Sequence, residues 1–318
     1  MPAKRLALVL AAGFGTRMGE IGKQLPKVLW PVFEKSILEL QVLFARSLGY
    51  DTIYVNLHHQ RAEILRRTQG LESFAGVRWL IEEPEILDIG GAVHNLAAQP
   101  EVGYSGELLI LNADQFIWFT AAQLESWRRR HPDADALLLG WNVNSSDGYN
   151  MLVVDADRRF RGITPNAEVP RDTIGVTYTG NSLVRLDRLA PRPGASKFFD
   201  TVCTASGEVY VENVPADAYW DFGTAKRYVD SLFRILELSH LKAESPFLEF
   251  LTEQSALRPQ KVRSRTSYDA VGENCINLSG APLPRAGDGL VVLEGDPGGR
   301  ASSAGVTICY RGVQQPVS

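Results

Sequence analysis

The chain is poor in cysteine. Cys203, Cys275 and Cys309 are the three in 318 residues, and none stands in a C-x-x-C spacing. That excludes a disulfide framework and a zinc site, and leaves reduced, unreactive thiols as the expectation. No apolar run approaches 18 residues, and the short apolar stretch near the start has no small-residue cleavage site behind it. No membrane partner and a cytoplasmic location are therefore expected. Positive charge is not in excess: 33 Lys and Arg against 37 Asp and Glu leave −4, which argues against a nucleic-acid scaffold. No persuasive Ser-His-Asp or Cys-His arrangement points to covalent catalysis. His58 and His59 are adjacent, and on a strand they would face opposite ways and could not chelate one ion. The bulk is ordinary for a soluble globular protein, with 45% hydrophobic and 22% charged residues and length for one large core or two modest ones.

The most informative stretch runs from Leu10 to Lys27, LAAGFGTRMGEIGKQLPK. Upstream, Leu6 to Leu10 is an unbroken apolar run that fits a strand buried on both faces of a parallel sheet. Gly13 and Gly15 then allow positive φ and close backbone approach, so successive N–H groups can form an anion-binding concavity. Thr16 adds a hydroxyl, Arg17 a permanent guanidinium and Lys27 a compact cation after Pro26. Two commoner nucleotide loops do not fit. The Walker pattern fails because Gly22-Lys23 is followed by Gln24, and the dinucleotide fingerprint fails because Gly13, Gly15 and Gly19 read G-x-G-x-x-x-G.

Farther along, Ser36 precedes a helical pattern with Ile37, Leu40, Phe44 and Leu48 on one face, and Gly49 stands at its C-terminal cap. Strands are expected at Thr52 to Leu57, Leu108 to Leu111, Leu137 to Trp141 and Met151 to Val154, with a helix-compatible segment around Ala92 to Ala98. This β-α-β alternation predicts an α/β, Rossmann-like fold with a mainly parallel sheet and flanking helices. A further helix beginning near Thr224 carries Tyr228, Leu232, Ile235 and Leu236 on one face. Arg128 to Arg130 end another helix, where a solvated terminus is expected. The expected division is an α/β domain over residues 1–245, then a basic linker and small β-rich C-terminal region over 246–318. Within the latter, AVGENCINLSG resembles one coil of a left-handed β-helix.

The first loop resembles the signature of the sugar-1-phosphate nucleotidylyltransferases, which reads G-x-G-T-R followed by a Pro-Lys pair. Five further stretches extend the resemblance to residues 5–236: VNLHHQ at 55–60, EEPEILDIGGAV at 82–93, LLILNADQ at 108–115, YTGNS at 178–182 and WDFGT at 220–224. They are most similar to the branch containing mannose-1-phosphate and heptose-1-phosphate guanylyltransferases and N-acetylmuramate-1-phosphate uridylyltransferases. The resemblance implies a nucleoside triphosphate and a sugar 1-phosphate as substrates and Mg²⁺ as cofactor. It gives Arg17 the triphosphate and Lys27 the phosphates of both substrates. Asp114, after a buried strand, and Asp221, between Trp220 and Phe222, become the metal ligands. Leu10, Ala11, Ala12, Gly13 and Gly90 supply backbone contacts to the nucleotide. Glu83 reads the base, and because a carboxylate accepts but does not donate, it suits the N–H edge of guanine or uracil. Asn112, Gly148, Thr179, Gly180 and Asn181 match positions lining the sugar pocket.

One feature departs from many members of the family. Their Glu-Lys-Pro triplet, whose lysine grips the sugar phosphate, is replaced here by Thr164-Pro165-Asn166, leaving Arg171 or Lys197 as substitute cations. Two other readings stay open at this level: a cytidylyltransferase acting on a non-sugar phosphate, and a catalytically idle nucleotide-binding subunit.

Overall fold

A computed structural model describes residues 4–264, 267–268, 275–280, 289–295 and 306–317. The contacts divide the chain into two compact units. One comprises Met1–Gly13, Gln41–Arg61 and Thr68–Tyr219; the other comprises Phe14–Leu40, Ala62–Arg67 and Trp220–Ser318.

The first unit is built on seven strands: β1 (Arg5–Leu10), β2 (Thr52–Leu57), β3 (Arg78–Ile81), β4 (Glu107–Asn112), β5 (Ala136–Asn144), β6 (Ile174–Arg185) and β7 (Val209–Asn213), in the order β7-β5-β6-β4-β1-β2-β3. β1 runs parallel to β2 and β4, β2 to β3, and β7 to β5; β6 alone is antiparallel to its neighbours β4 and β5. This is the mainly parallel α/β sheet that the apolar runs predict. Leu6, Leu8, Leu108, Ile110, Leu138 and Val211 enter one core cluster with Ala92, Val93 and Leu96 of the helix Asp88–Ala97. Continuous burial along β1 and β4 is what a parallel sheet covered on both faces requires.

Helix α1 (Gly19–Gly22) is a single turn, and α2 (Ile37–Ser47) is capped as expected, the Glu39 N–H donating to Ser36 Oγ at 3.1 Å. Gly49 follows α2 with φ +84°, the left-handed conformation that ends helices. Next come α3 (Arg61–Thr68), α4 (Asp88–Ala97) and α5 (Ala121–Arg130). Two expectations change here. Met151–Val154 is a strand, but it pairs antiparallel with Phe160–Thr164 in a separate two-stranded sheet, because the short connection through Arg158 at φ +67° folds the chain straight back. Arg128, expected at a solvated helix end, is mostly buried and donates to Glu107, Glu125 and the Tyr50 hydroxyl. Burial and the Glu107 carboxylate push the Tyr50 phenol up from its ordinary pKa.

The second unit contains α6 (Ala225–His240) and α7 (Pro246–Glu253). Thr224 caps α6 through the Arg227 N–H at 3.2 Å. Trp30 meets Tyr228 edge-on at 5.0 Å, Trp220 lies 4.8 Å from Phe247, and Arg234 sits 4.2 Å over the Trp220 ring. α7 falls in the segment expected to be β-rich. Proline at the first helical position and buried Phe247, Leu248, Phe250 and Leu251 make it an amphipathic helix too short to stand out from the composition around it.

Beyond it lies a six-stranded sheet in sequential order: β8 (Val262–Ser264), β9 (Ser267–Tyr268), β10 (Cys275–Asn277), β11 (Leu290–Glu294), β12 (Thr307–Tyr310) and β13 (Val313–Pro316). β9 through β12 are parallel, while β8 and β13 pair antiparallel at the two edges. Residues 275–280 of the coil-like phrase supply β10, and residues 270–274 lie outside the described residues. Cys275 and Cys309 are buried beside Leu290 and Val292, and Cys203 is also buried. Burial pushes the Cys309 thiol up to about 11 and Cys203 well above its ordinary value, so both stay protonated and unreactive near neutrality.

Arg128 and Glu107 form a mostly dehydrated pair, their side chains 16% and 15% exposed. Glu107→Ala, leaving that guanidinium short of its partner, is expected to lower unfolding free energy by about 3 kcal/mol. Urea unfolding checks this, and a loss near zero would show that Arg128 finds solvent instead.

Candidate functional site

In the first unit the carboxyl ends of three parallel strands lie level. Leu10 of β1 is in register with Asn56 of β2 and with Asn112 of β4. The strand order reverses between β1 and β4, and open α/β sheets bind ligands beyond the carboxyl ends at that point. Ala11, Ala12 and Gly13 therefore continue from β1 beside Ala113 and Asp114, with the Ala113 N–H donating to Leu10 O at 3.3 Å.

Buried side chains set the course of these loops. The Ala11 N–H donates to Asn56 Oδ1 at 2.8 Å, Asn56 Nδ2 donates to Glu82 Oε1 at 2.6 Å, and the Leu87 N–H donates to Glu82 Oε2 at 2.8 Å. Asn56 and Glu82 are both buried. The sequence reading named Glu83 from this acidic cluster, yet Glu82 is the member that locks the loop after β1 to the loop before α4. Glu83 is exposed and ion-paired with Arg61. Of the backbone groups expected to meet a base, the Ala11 N–H is already held by Asn56. Gly90 is buried in the first turn of α4, where an added Cβ would lie 2.6 Å from Ser196 O and 2.7 Å from Lys197 O. His58 lies just past β2, with Nδ1 3.0 Å from Glu82 O, so it and His59 do not occupy a strand.

Asp114 sits in a turn clamped by another residue that sequence reasoning missed. Buried Gln41 donates through Nε2 to Asn112 O and Gln115 O, each at 3.0 Å, on the two sides of Asp114. Gln41 carries no motif; its signal is a lone amide on the buried face of α2. Four expected sugar-pocket residues come together here. The Asn112 N–H donates to Asn181 Oδ1 at 2.7 Å, and Thr179 Oγ1 donates to Leu139 O at 2.8 Å. Gly180, at φ +79°, passes so close to Asn112 that an added Cβ would lie 2.6 Å from its Nδ2. The β6 register shifts between Tyr178 and Ser182, a local irregularity that turns Thr179–Asn181 out of the ladder. Asn181 Nδ2 is buried without a hydrogen-bond partner among the described residues, an open donor in this cluster. Gly148 closes a separate turn over Ser145–Asp147 at φ +78°. Arg171 and Lys197 are both exposed.

The second unit carries the cationic loop. Gly15 adopts φ +62°, and an added Cβ there would touch Lys27 Cβ at 3.4 Å, so the two ends of the signature meet. Thr16 and Arg17, in a 3-10 turn over Thr16–Met18, are exposed while Met18 is buried beneath them. The Gly223 peptide joins this loop to WDFGT. Its carbonyl accepts from Lys27 Nζ at 3.0 Å, and its N–H donates to Asp221 Oδ1 at 2.6 Å. Asp221 is 8% exposed and is ion-paired through Oδ2 to Arg227 Nη1 at 2.8 Å. Arg227, in the first turn of α6, is also absent from the sequence reading, because only the cap at Thr224 brings it back over Asp221.

The carboxylates suit a hard cation. Among the described residues no group of three or more His, Cys, Asp and Glu forms a protein cage. Carboxylate donors, with the other positions filled from phosphates and water, are how Mg²⁺ is held.

The mainly parallel sheet with its flanking helices is that of the α/β nucleotidyltransferase fold. Residues 7–160 match the MobA-like NTP transferase domain. The bifunctional protein GlmU of Gloeobacter violaceus is 34% identical over 165 residues, 51% of this chain and 34% of the relative. GlmU of Sorangium cellulosum is 28% identical over 306 residues, covering 90% of this chain and 62% of its own length. The match thus spans about a third of the first of these curated relatives. Among solved structures, HddC from Yersinia pseudotuberculosis, complexed with GMP-PN, superposes with a TM-score of 0.59 at 20% identity, covering 72% of this chain and 98% of HddC. That likeness is one of fold. Within the described residues no helix is long and apolar enough to cross a membrane.

Gln41→Met keeps volume but removes the donor to two part-buried carbonyls, and is expected to lower stability by about 1–3 kcal/mol. Chemical denaturation measures it; an unchanged midpoint would show that the turn around Asp114 holds itself.

Proposed function

We propose that the chain transfers a nucleotidyl group from a nucleoside triphosphate, UTP or GTP, to a sugar 1-phosphate, yielding a nucleoside-diphosphate sugar and pyrophosphate. The observation carrying this reading is the Gly223 peptide, which joins a cation of the glycine-rich loop, Lys27, to a nearly buried carboxylate, Asp221. Two anionic substrates repel each other, and a fixed ammonium offsets that repulsion best where its position is set before they arrive. HddC, complexed with GMP-PN, supports a nucleotide as donor, and the resemblance to the sugar-phosphate branch over five further stretches supports the acceptor.

In the proposed reaction an oxygen of the sugar 1-phosphate attacks the α-phosphorus in line. The bond from that phosphorus to the bridging oxygen breaks, and the electron pair leaves with pyrophosphate. Lys27 holds the reacting phosphates together and Arg17 holds the departing end. Glu83 accepts from an N–H edge of the base, while the Ala12 and Gly13 backbone borders it. Asn112, Thr179, Gly180 and Asn181 receive the sugar, with Asn181 Nδ2 available to donate to a hydroxyl. Asp114 and Asp221 would hold Mg²⁺, which when bound supplies neutralisation of charge on the phosphates. No covalent enzyme intermediate enters, and positioning supplies most of the acceleration.

The test is pyrophosphate release with Mg²⁺ across UTP, GTP, CTP, dTTP and ATP against N-acetylmuramate, N-acetylglucosamine, mannose, glucose and heptose 1-phosphates. Release that requires one triphosphate and one sugar phosphate together is expected. Turnover with CTP and a non-sugar phosphate alone, or binding with no turnover, would overturn the reading. Asp114→Asn is expected to lower kcat by roughly 10²- to 10³-fold; unchanged turnover would remove Asp114 from the reacting centre.

A further inference from the structure

The second unit contains a contact that neither motif nor family explains. The edge strand β13 reaches the glycine-rich loop through one side chain: Gln315 Oε1 accepts from the Ile21 N–H at 3.1 Å. Its amide also lies flat against Gly19, where an added Cβ would stand 2.5–2.6 Å from the Gln315 Oε1, Cδ and Nε2 atoms. Gly19 takes φ +65°, so both its backbone conformation and its lack of a side chain open the space that Gln315 fills.

α1 is one turn long, and the Ile21 N–H is among the first donors of a helix, which have no intrahelical acceptor. Gln315 supplies that acceptor from almost 300 residues away in sequence.

The edge strand's register is specified. β12 and β13 are joined by Arg311 and Gly312, at φ +47° and +82°, the two positive values of a tight hairpin turn. That turn pairs Tyr310 with Val313 and Ile308 with Gln315. Side chains alternate along the strand, so Val313, Gln315 and Val317 are half-buried while Gln314 and Pro316 are exposed. A slip of one residue would present Gln314 to α1 instead. The sheet behind the hairpin is tied by charge. Arg67 donates to Glu294 Oε2 and to the Tyr310 hydroxyl, each at 2.8 Å, and Arg311 donates to Glu294 Oε1. Arg66 and Arg67 also donate to the Glu63 carboxylate and hold its pKa down at about 2.

We infer that Gln315 is a positioning residue for the triphosphate end of the site: the C-terminal sheet holds the loop bearing Arg17 in its binding shape through the Gln315–Ile21 hydrogen bond. The inference rests on the proposed nucleotidyl transfer for its kinetic consequence, but not for its structural one. Arg17 lies between Gly15, fixed against Lys27, and Gly19, fixed against Gln315, so both ends of its short turn are held.

The test compares Gln315→Met with Gln315→Glu in the full chain. Methionine fills similar volume without an oxygen acceptor, whereas glutamate keeps the acceptor. In Gln315→Met, hydrogen exchange at the Ile21 amide is expected to rise roughly tenfold, with β1 and β4 unchanged, and Gln315→Glu is expected to restore protection to within about twofold. For Gln315→Met the KM for the triphosphate is expected to rise about three- to tenfold, with kcat within about twofold. Unchanged Ile21 exchange in Gln315→Met, or equal loss in Gln315→Glu, would overturn the inference. So would increased exchange with an unaltered KM. Should the unaltered protein turn over no substrate pair, the proposed function falls, and the exchange comparison still decides whether Gln315 holds the loop.

Discussion

The register of three parallel strands governs what this protein can bind. Leu10, Asn56 and Asn112 stand in one row, so the chain leaves β1, β2 and β4 at the same level. Backbone emerging there has lost its ladder partners, and side chains must supply them. Asn56 takes the Ala11 N–H, Asn181 takes the Asn112 N–H, and Gln41 donates to the carbonyls around Asp114. A shift of one residue in either pairing would turn Asn56 or Asn112 to the opposite face and dissolve this set.

The same economy recurs in the second unit, where single peptides join distant segments. Gly223 ties Lys27 to Asp221, and the Ile21 N–H ties the glycine-rich loop to β13. Flexible cations on a glycine-rich loop lose much conformational entropy on gripping a ligand. Holding the loop beforehand through its backbone reduces that loss, with Arg17 exposed to solvent.

Much of the fold was legible because it rests on local pattern. The buried runs of β1 and β4, the Ser36 and Thr224 caps and the Gly49 terminus are each encoded within a few residues, and each forms as expected. Asp114, Asn112 and Thr179–Asn181 were legible as motifs, and the structure brings Asn112 and Thr179–Asn181 into one cluster. What escaped reading were residues acting across long separations. Gln41 and Glu82 stand in unremarkable sequence, and nothing near Arg128 marks its burial, because its partners Glu107 and Tyr50 lie 21 and 78 residues away.

The sequence alone determined the alternation of strand and helix and the glycine-cation loop, since hydrophobic period, turn chemistry and charge are properties of neighbouring residues. Only the tertiary structure decided which carboxylate of the 82–88 cluster is buried, which amide clamps Asp114 and what the C-terminal strand touches. Those outcomes depend on burial and hydrogen-bond distance between segments up to 294 residues apart. An unsatisfied polar group is costly once the fold removes it from water, and the chain itself carries no local mark of where that will happen.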